Sequence, residues 1–371
     1  MRKLFVAGLI LLQACSSSGN YVLDQFEKAA PGHAFAVAHR GCWFKEADGE
    51  FYIPENSTYG IEMAARYGYT AVEMDVKYTL DRKMVVMHDR SINRTMRNAA
   101  DYSKIDSPVY VDAMLFEDLR RDYVLESSDP TMRTPIPTLE EMLRCCKRTG
   151  IVPMLHSNVL ESYELASKML GERWIAFDGN YSAMKVARSK SSCLVLWDPG
   201  KKTAEETVAG LQALGGWCGI STMRHDMLDS VYISAIHDAG FIAQSSIFPT
   251  PHDQAAIRNG ADILLSDFYW YQTGSREPFE SISASIAPGK TWNSPSMLDV
   301  GNFSAVAIDA TFTGTIDVKV YERNSIRSYS LVGDGKPLYM GFRFYKTVPR
   351  VELSVPEDGV VSRIKVDYYR L

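Results

Sequence analysis

The chain has 371 residues, 46% apolar and 23% charged, with 40 Lys+Arg against 45 Asp+Glu and a formal net charge of −5. These proportions exclude a disordered, collagenous or multi-span membrane protein, and they leave no basic excess for a nucleic-acid surface. The length accommodates two domains, or one large α/β domain with an appendage.

Arg2 and Lys3 precede an apolar stretch from Leu4 to Leu12 that is too short for a membrane span, which takes about 20 residues. A charged segment, a short apolar core and a small residue form an export signal. Leu12-Gln13-Ala14-Cys15 resembles a bacterial lipobox, so Cys15 is expected to carry lipid and become the mature N-terminus, with Ser16 to Gly19 as a flexible tether. The expectation is a bacterial lipoprotein, periplasmic or on the cell surface, whose residues 1–20 are signal and tether and whose membrane contact is a lipid anchor. No Cys-x-x-Cys occurs, and Cys145 and Cys146 read as packing residues in a helix.

Between Phe35 and Asp267, short β-branched or apolar runs alternate with helical patterns, as in a parallel α/β fold. The runs are Phe35 to Arg40, Ala71 to Val76, Lys83 to His88, Ile151 to His156, Trp174 to Asp178, Cys193 to Trp197, Trp217 to Thr222, Phe241 to Ile247 and Ala261 to Asp267. The third follows the second too closely for a parallel crossover, which needs a dozen or more residues, so it must return as a hairpin. The remaining runs are the strands of a (β/α)8 TIM barrel over about residues 21–279. Asn56 or Ser57 caps a first helix that stops at Gly68. Thr138 and Glu141 form a capping box for a later one ending at Gly150. Residues 91–137 read as an irregular polar insertion above the barrel mouth.

From about residue 280 to 371 the texture is strand alternation alone, as in Ala305 to Phe312, Ile316 to Tyr321 and Ser362 to Asp367, with turns at Gly333-Asp334-Gly335 and Glu357-Asp358-Gly359. This predicts a small all-β, sandwich-like accessory domain without catalytic residues. Phe268-Tyr269-Trp270-Tyr271, just before it, reads as the docking surface between the two parts.

Reactive groups of a TIM barrel lie at the C-terminal ends of its strands. His39 and Arg40 end the first. Glu73 and Asp75, two apart on the second, point to one side of that strand, and a hard divalent cation would satisfy two carboxylates there. The hairpin brings His88 back toward them, and two imidazoles beside a metal make an acid/base pair for breaking a P–O bond.

The strings Ala38-His39-Arg40-Gly41, Pro54-Glu55-Asn56-Ser57, Val72-Glu73-Met74-Asp75-Val76 and Val85-Val86-Met87-His88-Asp89, followed by Asn93-Arg94-Thr95 and Ile136-Pro137-Thr138-Leu139-Glu140-Glu141, resemble the glycerophosphodiester phosphodiesterase family. The resemblance implies a TIM barrel that hydrolyses glycerophosphodiesters with Ca²⁺ or Mg²⁺. His39 would match the proton acceptor, His88 the proton donor and Arg40 the phosphate grip. Glu73 and Asp75 would match metal ligands, with Glu55 a ligand or close neighbour. One stretch departs: where the family has apolar, Glu, apolar, Lys, this chain has Met154-Leu155-His156-Ser157-Asn158. His156 takes the place of a metal-binding Glu, and Asn158 that of a phosphate-assisting Lys. A neutral imidazole in the ligand set weakens the hold on Ca²⁺ or Mg²⁺ and suits Zn²⁺ or Mn²⁺ better. Three functions follow: a phosphodiesterase for glycerophosphodiesters, one for another phospholipid or phosphoglycan diester, or a non-catalytic lipoprotein that binds phosphorylated glycans.

Overall fold

A computed structural model describes residues 22–23, 34–45, 49–224, 226–247, 252–267, 270, 277–295, 303–321, 326–345, 347 and 349–371. Cys15 and the signal segment lie outside the described residues, as do Phe268, Tyr269 and Tyr271. No described helix is long and apolar enough to cross a membrane.

Eight parallel strands close on themselves: β1 (Phe35–Ala38), β4 (Ala71–Tyr78), β8 (Val152–His156), β9 (Ile175–Asp178), β10 (Leu194–Trp197), β11 (Cys218–Thr222), β12 (Ile242–Ser246) and β13 (Ile263–Ser266). Closure is made by β1, which pairs with β13 on one side and β4 on the other. Between β1 and β4 in the chain comes a two-stranded antiparallel ribbon, β2 (Phe44–Lys45) and β3 (Phe51–Ile53). Helix α1 (Thr58–Tyr67) starts at Ser57, whose hydroxyl accepts from Gly60 N, and ends at left-handed Gly68.

The hairpin inferred from spacing is present. β5 (Met84–Val86) runs antiparallel to β4, with Val76 opposite Val86, and Met87 N donates to Asp75 O. Beyond it, residues 91–137 are more ordered than their polarity suggests. They contain β6 (Met96–Asn98), α2 (Phe116–Asp122) and β7 (Tyr123–Leu125) around a small core of Ile92, Met96, Val111, Leu119 and Leu125. Helix α3 (Leu139–Thr149) opens with the reciprocal Thr138/Glu141 capping box and closes at left-handed Gly150. The barrel is completed by α4 (Leu160–Leu170), α5 (Tyr181–Lys190), α6 (Ala204–Leu214), α7 (Ser230–Asp238) and α8 (His252–Asn259). Cys145 and Cys146 are buried and unbridged in α3.

The C-terminal region is antiparallel throughout: β14 (Glu280–Ala284), β15 (Thr291–Asn293), β16 (Phe303–Tyr321), β17 (Ile326–Tyr345), β18 (Arg350–Ser354) and β19 (Val360–Arg370). The runs at 305–312 and 316–321 are not two strands but halves of β16, joined through a register shift at Thr311 to Thr313 and left-handed Gly314. Gly333 to Gly335 likewise does not reverse the chain; it bends β17 opposite that shift. One half of β16 pairs with β19, the other with β18. The folded-over sheet buries Val306, Ile308, Val318, Phe342, Val351 and Val366 in one core, giving the sandwich-like form. The predicted turn at 357–359 does separate β18 from β19.

Candidate active site

Side chains alternate along a strand, and Phe35, Val37, Ala71, Val152, Met154, Ile263 and Leu265 fill the apolar barrel interior. Stepping on by two places His39, Glu73 and Asp75, His156, and Asp267 above that apolar layer, at the mouth. Register confirms the level: Asp75 is directly beside His156, and Ala38 beside Ser266.

His39 Nδ1 lies 2.7 Å from Asp267 Oδ1, and its Nε2 is 4.0 Å from Glu73 Oε2. Burial opposes protonation of His39, but the Asp267 hydrogen bond and the Glu73 charge outweigh it and raise the imidazole above its ordinary value. Bonding Nδ1 to a carboxylate leaves Nε2 to accept a proton, the arrangement of a general base with an orienting acid. Sequence reading missed Asp267. Its signal was the parity of Ile263 and Leu265, which puts the next odd position inward.

Glu73, Asp75 and His156 offer three ligand atoms within 4.8 Å of one another. His156 Nδ1 is 3.1 Å from Asp75 Oδ1 and 3.7 Å from Glu73 Oε1, and its ring stacks on Phe177 with centroids 4.7 Å apart. Burial and the adjacent Asp75 push the Glu73 carboxyl up to about 7. Asp75, although burial opposes its ionisation, is held down at about 2 by the His156 hydrogen bond and the charges of His156 and His88. Glu73 Oε1 is buried with no hydrogen-bond partner among the described residues. An orphaned carboxylate oxygen beside a second carboxylate and an imidazole is a donor set that a divalent cation fits.

Glu55 is not in that trio. Its carboxylate is buried between Arg40 Nη1, at 3.4 Å, and Arg94 Nη2. Arg94 also donates to Asp89 Oδ2 (2.6 Å), and Asp89 Oδ1 is 2.7 Å from His88 Nδ1. A chain of charge therefore runs His88, Asp89, Arg94, Glu55, Arg40, with Arg40 Nε 3.8 Å from Asp75. It ties the hairpin histidine to the carboxylate side of the mouth and leaves His88 Nε2 outside the Asp89 bond. Asn158, the remaining predicted substrate contact, is exposed beyond the end of β8.

Two residues here pay for their placement in backbone strain. Arg40 (φ 53°) and Asn56 (φ 51°) are left-handed without being glycine, which costs roughly 1–3 kcal/mol each. Asn56 N donates to Arg40 O (2.8 Å), and Arg40 N to Glu73 Oε2 (2.9 Å). The buried Asn56 side chain donates to Asp75 Oδ2 (3.0 Å) and accepts from Asp75 N (3.4 Å). Asn56 thus orients a candidate ligand, a role that its place beside Glu55 in sequence does not reveal.

Residues 39–173 match the Glycerophosphoryl diester phosphodiesterase family. The chain is 30% identical over 152 residues to glycerophosphodiester phosphodiesterase 1 of Mus musculus, covering 40% of each chain. It is 30% identical over 154 residues to the glycerophosphodiester phosphodiesterase of Bacillus subtilis, covering 38% of this chain and 45% of that one. It thus spans less than half the length of these curated relatives. In fold it is similar to a putative glycerophosphoryl diester phosphodiesterase from Silicibacter pomeroyi, with a TM-score of 0.52 at 17% identity over 67% of this chain and 94% of that one.

Proposed function

We propose, from the match of residues 39–173 to the glycerophosphoryl diester phosphodiesterase family and from the geometry of the mouth, a metal-dependent hydrolase of glycerophosphodiesters or a related phosphodiester. The observation that carries the reading is the meeting, on one barrel mouth, of the His39–Asp267 pair with the Glu73, Asp75 and His156 trio. A pure binder of phosphorylated glycans needs neither an oriented base nor a second imidazole.

Glu73, Asp75 and His156 would hold the cation, and Asn56 keeps Asp75 aimed. Such an ion, Ca²⁺ or Mg²⁺ as in the family's pattern, or Zn²⁺ or Mn²⁺ given an imidazole ligand, supplies positive charge to the phosphoryl oxygens as they become more negative. Arg40, fixed between Glu55 and Asp75, presents its guanidinium to the same oxygens. His39 Nε2 takes the proton of the attacking oxygen, while Asp267 stabilises the resulting imidazolium. His88, oriented by Asp89, returns a proton to the departing alkoxide from Nε2.

Replacement of the family's Glu and Lys by His156 and Asn158 favours a diester other than the simplest glycerophosphodiesters. The exported, lipid-anchored form read from Arg2, Lys3 and Cys15 would place the enzyme beside phospholipid or envelope-glycan diesters. The reading is tested by screening such diesters against Ca²⁺, Mg²⁺, Mn²⁺ and Zn²⁺ with His39→Ala as control. Turnover that needs a divalent ion and is lost in His39→Ala supports it. No turnover, or turnover indifferent to His39 and chelator, overturns it.

A further inference from the structure

Among the described residues of the C-terminal region, a charged side chain reaches the barrel mouth. Arg343 lies on β17 between Phe342 and Phe344, both in the sandwich core, so the pleat turns it to the opposite face. That face meets the barrel instead of water, and Arg343 is only 3% exposed. Its Nη1 donates to Cys42 Sγ (2.7 Å), and its Nη2 donates to Trp43 O (3.1 Å) and Asp267 O (2.5 Å). The guanidinium lies 4.9 Å from the centroid of Phe44.

A guanidinium buried against a thiol, two carbonyls and the Tyr69 side chain is an expensive way to hold an interface together, since an apolar side chain would serve at less desolvation cost. What distinguishes the thiol and the two carbonyls is their position. Cys42 and Trp43 continue the turn that begins at His39 and Arg40. Asp267 stands one residue past the end of β13, beyond the last ladder bond, in which His39 N donates to Ser266 O. The next described residue, Trp270, is itself bonded to the C-terminal region through Gly341 O. The main chain under the His39–Asp267 pair is thus fixed from the accessory side.

We propose that Arg343 is a positioning residue for hydrolysis: by clamping Asp267 and the turn after β1 together, it holds His39 with Nε2 toward the substrate, and the C-terminal region is part of the catalytic apparatus. This rests on the hydrolytic reading of the mouth and deepens it.

The test compares the full wild-type chain with Arg343→Met, Arg343→Lys and Phe303→Ala. The last removes packing on Tyr67 and Tyr345 at the same interface without touching the guanidinium bonds. The readouts are kcat and KM on bis(4-nitrophenyl) phosphate, and the low-field Nδ1–H resonance of His39 in histidine-labelled protein, identified by its loss in Asp267→Asn. Arg343→Met is expected to lower kcat about tenfold or more at a KM within about twofold, and to lose the resonance. Arg343→Lys, able to reach only part of the acceptor set, should fall between, and Phe303→Ala should stay within about twofold of wild type. Wild-type kcat and resonance in Arg343→Met, or an equal loss in Phe303→Ala, would overturn the proposal. If Arg343→Met does not fold, Arg343→Lys decides: a reduced kcat and weakened resonance uphold it, unchanged values overturn it. If wild type turns over no diester, the hydrolytic reading fails, and the resonance alone still shows whether Arg343 places His39.

Discussion

His39 and Asp267 stand 228 positions apart in the chain and 2.7 Å apart at the mouth, so the residues that follow the first and last barrel strands are joined by a side-chain hydrogen bond. Asp267 fixes both the tautomer and the direction of the ring. Asp267→Asn keeps the shape but offers an amide that can bond Nδ1 in the wrong tautomer. Its kcat is expected to fall about 10²-fold or more with KM little changed, measured by steady-state turnover of a phosphodiester. A kcat within about threefold of wild type would show that Asp267 does not orient the base.

The raised Glu73 carboxyl has a consequence for stability. A carboxyl whose folded value, about 7, exceeds its unfolded one gives stability that is complete below the unfolded value and is lost as pH rises through about 7. Asp75 has the opposite sign: its contribution holds at neutral pH and disappears as pH falls toward about 2, so the two windows are separate. Glu73→Gln is neutral at every pH. In chelator at pH ~8 it should be more stable than wild type by about 1–3 kcal/mol, yet lose the rise in Tm that divalent ions give wild type. Thermal unfolding with and without metal across this pH range checks both statements, and parallel pH curves for the two proteins would refute the first.

The barrel was legible because its rules are local. Strand runs, helix caps at Ser57 and Thr138, and the short Val76-to-Met84 spacing each act within a few residues, and each appears as read. His39, Glu73 and Asp75 were legible by strand-end position and parity. Asp267 obeys the same parity, but its partner is at the far end of the chain, and one sequence does not show which strand ends meet. Arg343 was illegible for a different reason. A charged residue alternating with Phe342 and Phe344 reads as the solvent face of a strand, and only the docking of that face on Tyr67, Tyr69 and Trp270 makes it interior. In sequence the long strand β16 reads as two runs and Gly333 to Gly335 of β17 as a turn, because glycines usually mark reversals; here Gly314 and Gly335 mark a bend.

The interface itself has a steric pivot at Gly341. A Cβ there would stand 1.7 Å from Trp270 O, while Trp270 is fully buried and donates through Nε1 to Tyr67 O at 2.7 Å. The two nearest atoms are both Trp270 backbone, which cannot give way as the far end of a flexible side chain could. Gly341→Ala is expected to cost about 3 kcal/mol or more and to lower kcat through displacement of Arg343, two residues on. Urea unfolding followed by tryptophan fluorescence measures the first, and turnover of the folded fraction the second. A variant with unchanged midpoint would show that Trp270 and β17 are not held in this contact.

The ligand set invites the reverse substitution. His156 bonds Asp75 and stacks on Phe177, while Asn158 is exposed and reaches none of the buried carboxylates. His156→Glu would put a third carboxylate against a pair that already pushes Glu73 up to about 7, so the metal-free protein should lose about 1–2 kcal/mol. With a hard cation present the sign reverses, and Ca²⁺ or Mg²⁺ affinity should rise about tenfold. Adding Asn158→Lys restores the second charge of the family's pattern. If His156 and Asn158 merely weakened an ordinary site, this double variant would gain activity on a simple glycerophosphodiester. The stacked, hydrogen-bonded seat of His156 argues instead for a pocket fitted to another diester. The double variant should therefore bind Ca²⁺ more tightly, lose turnover of the preferred substrate, and leave glycerophosphocholine a poor one. A large gain on glycerophosphocholine would return the chain to the family's ordinary substrate.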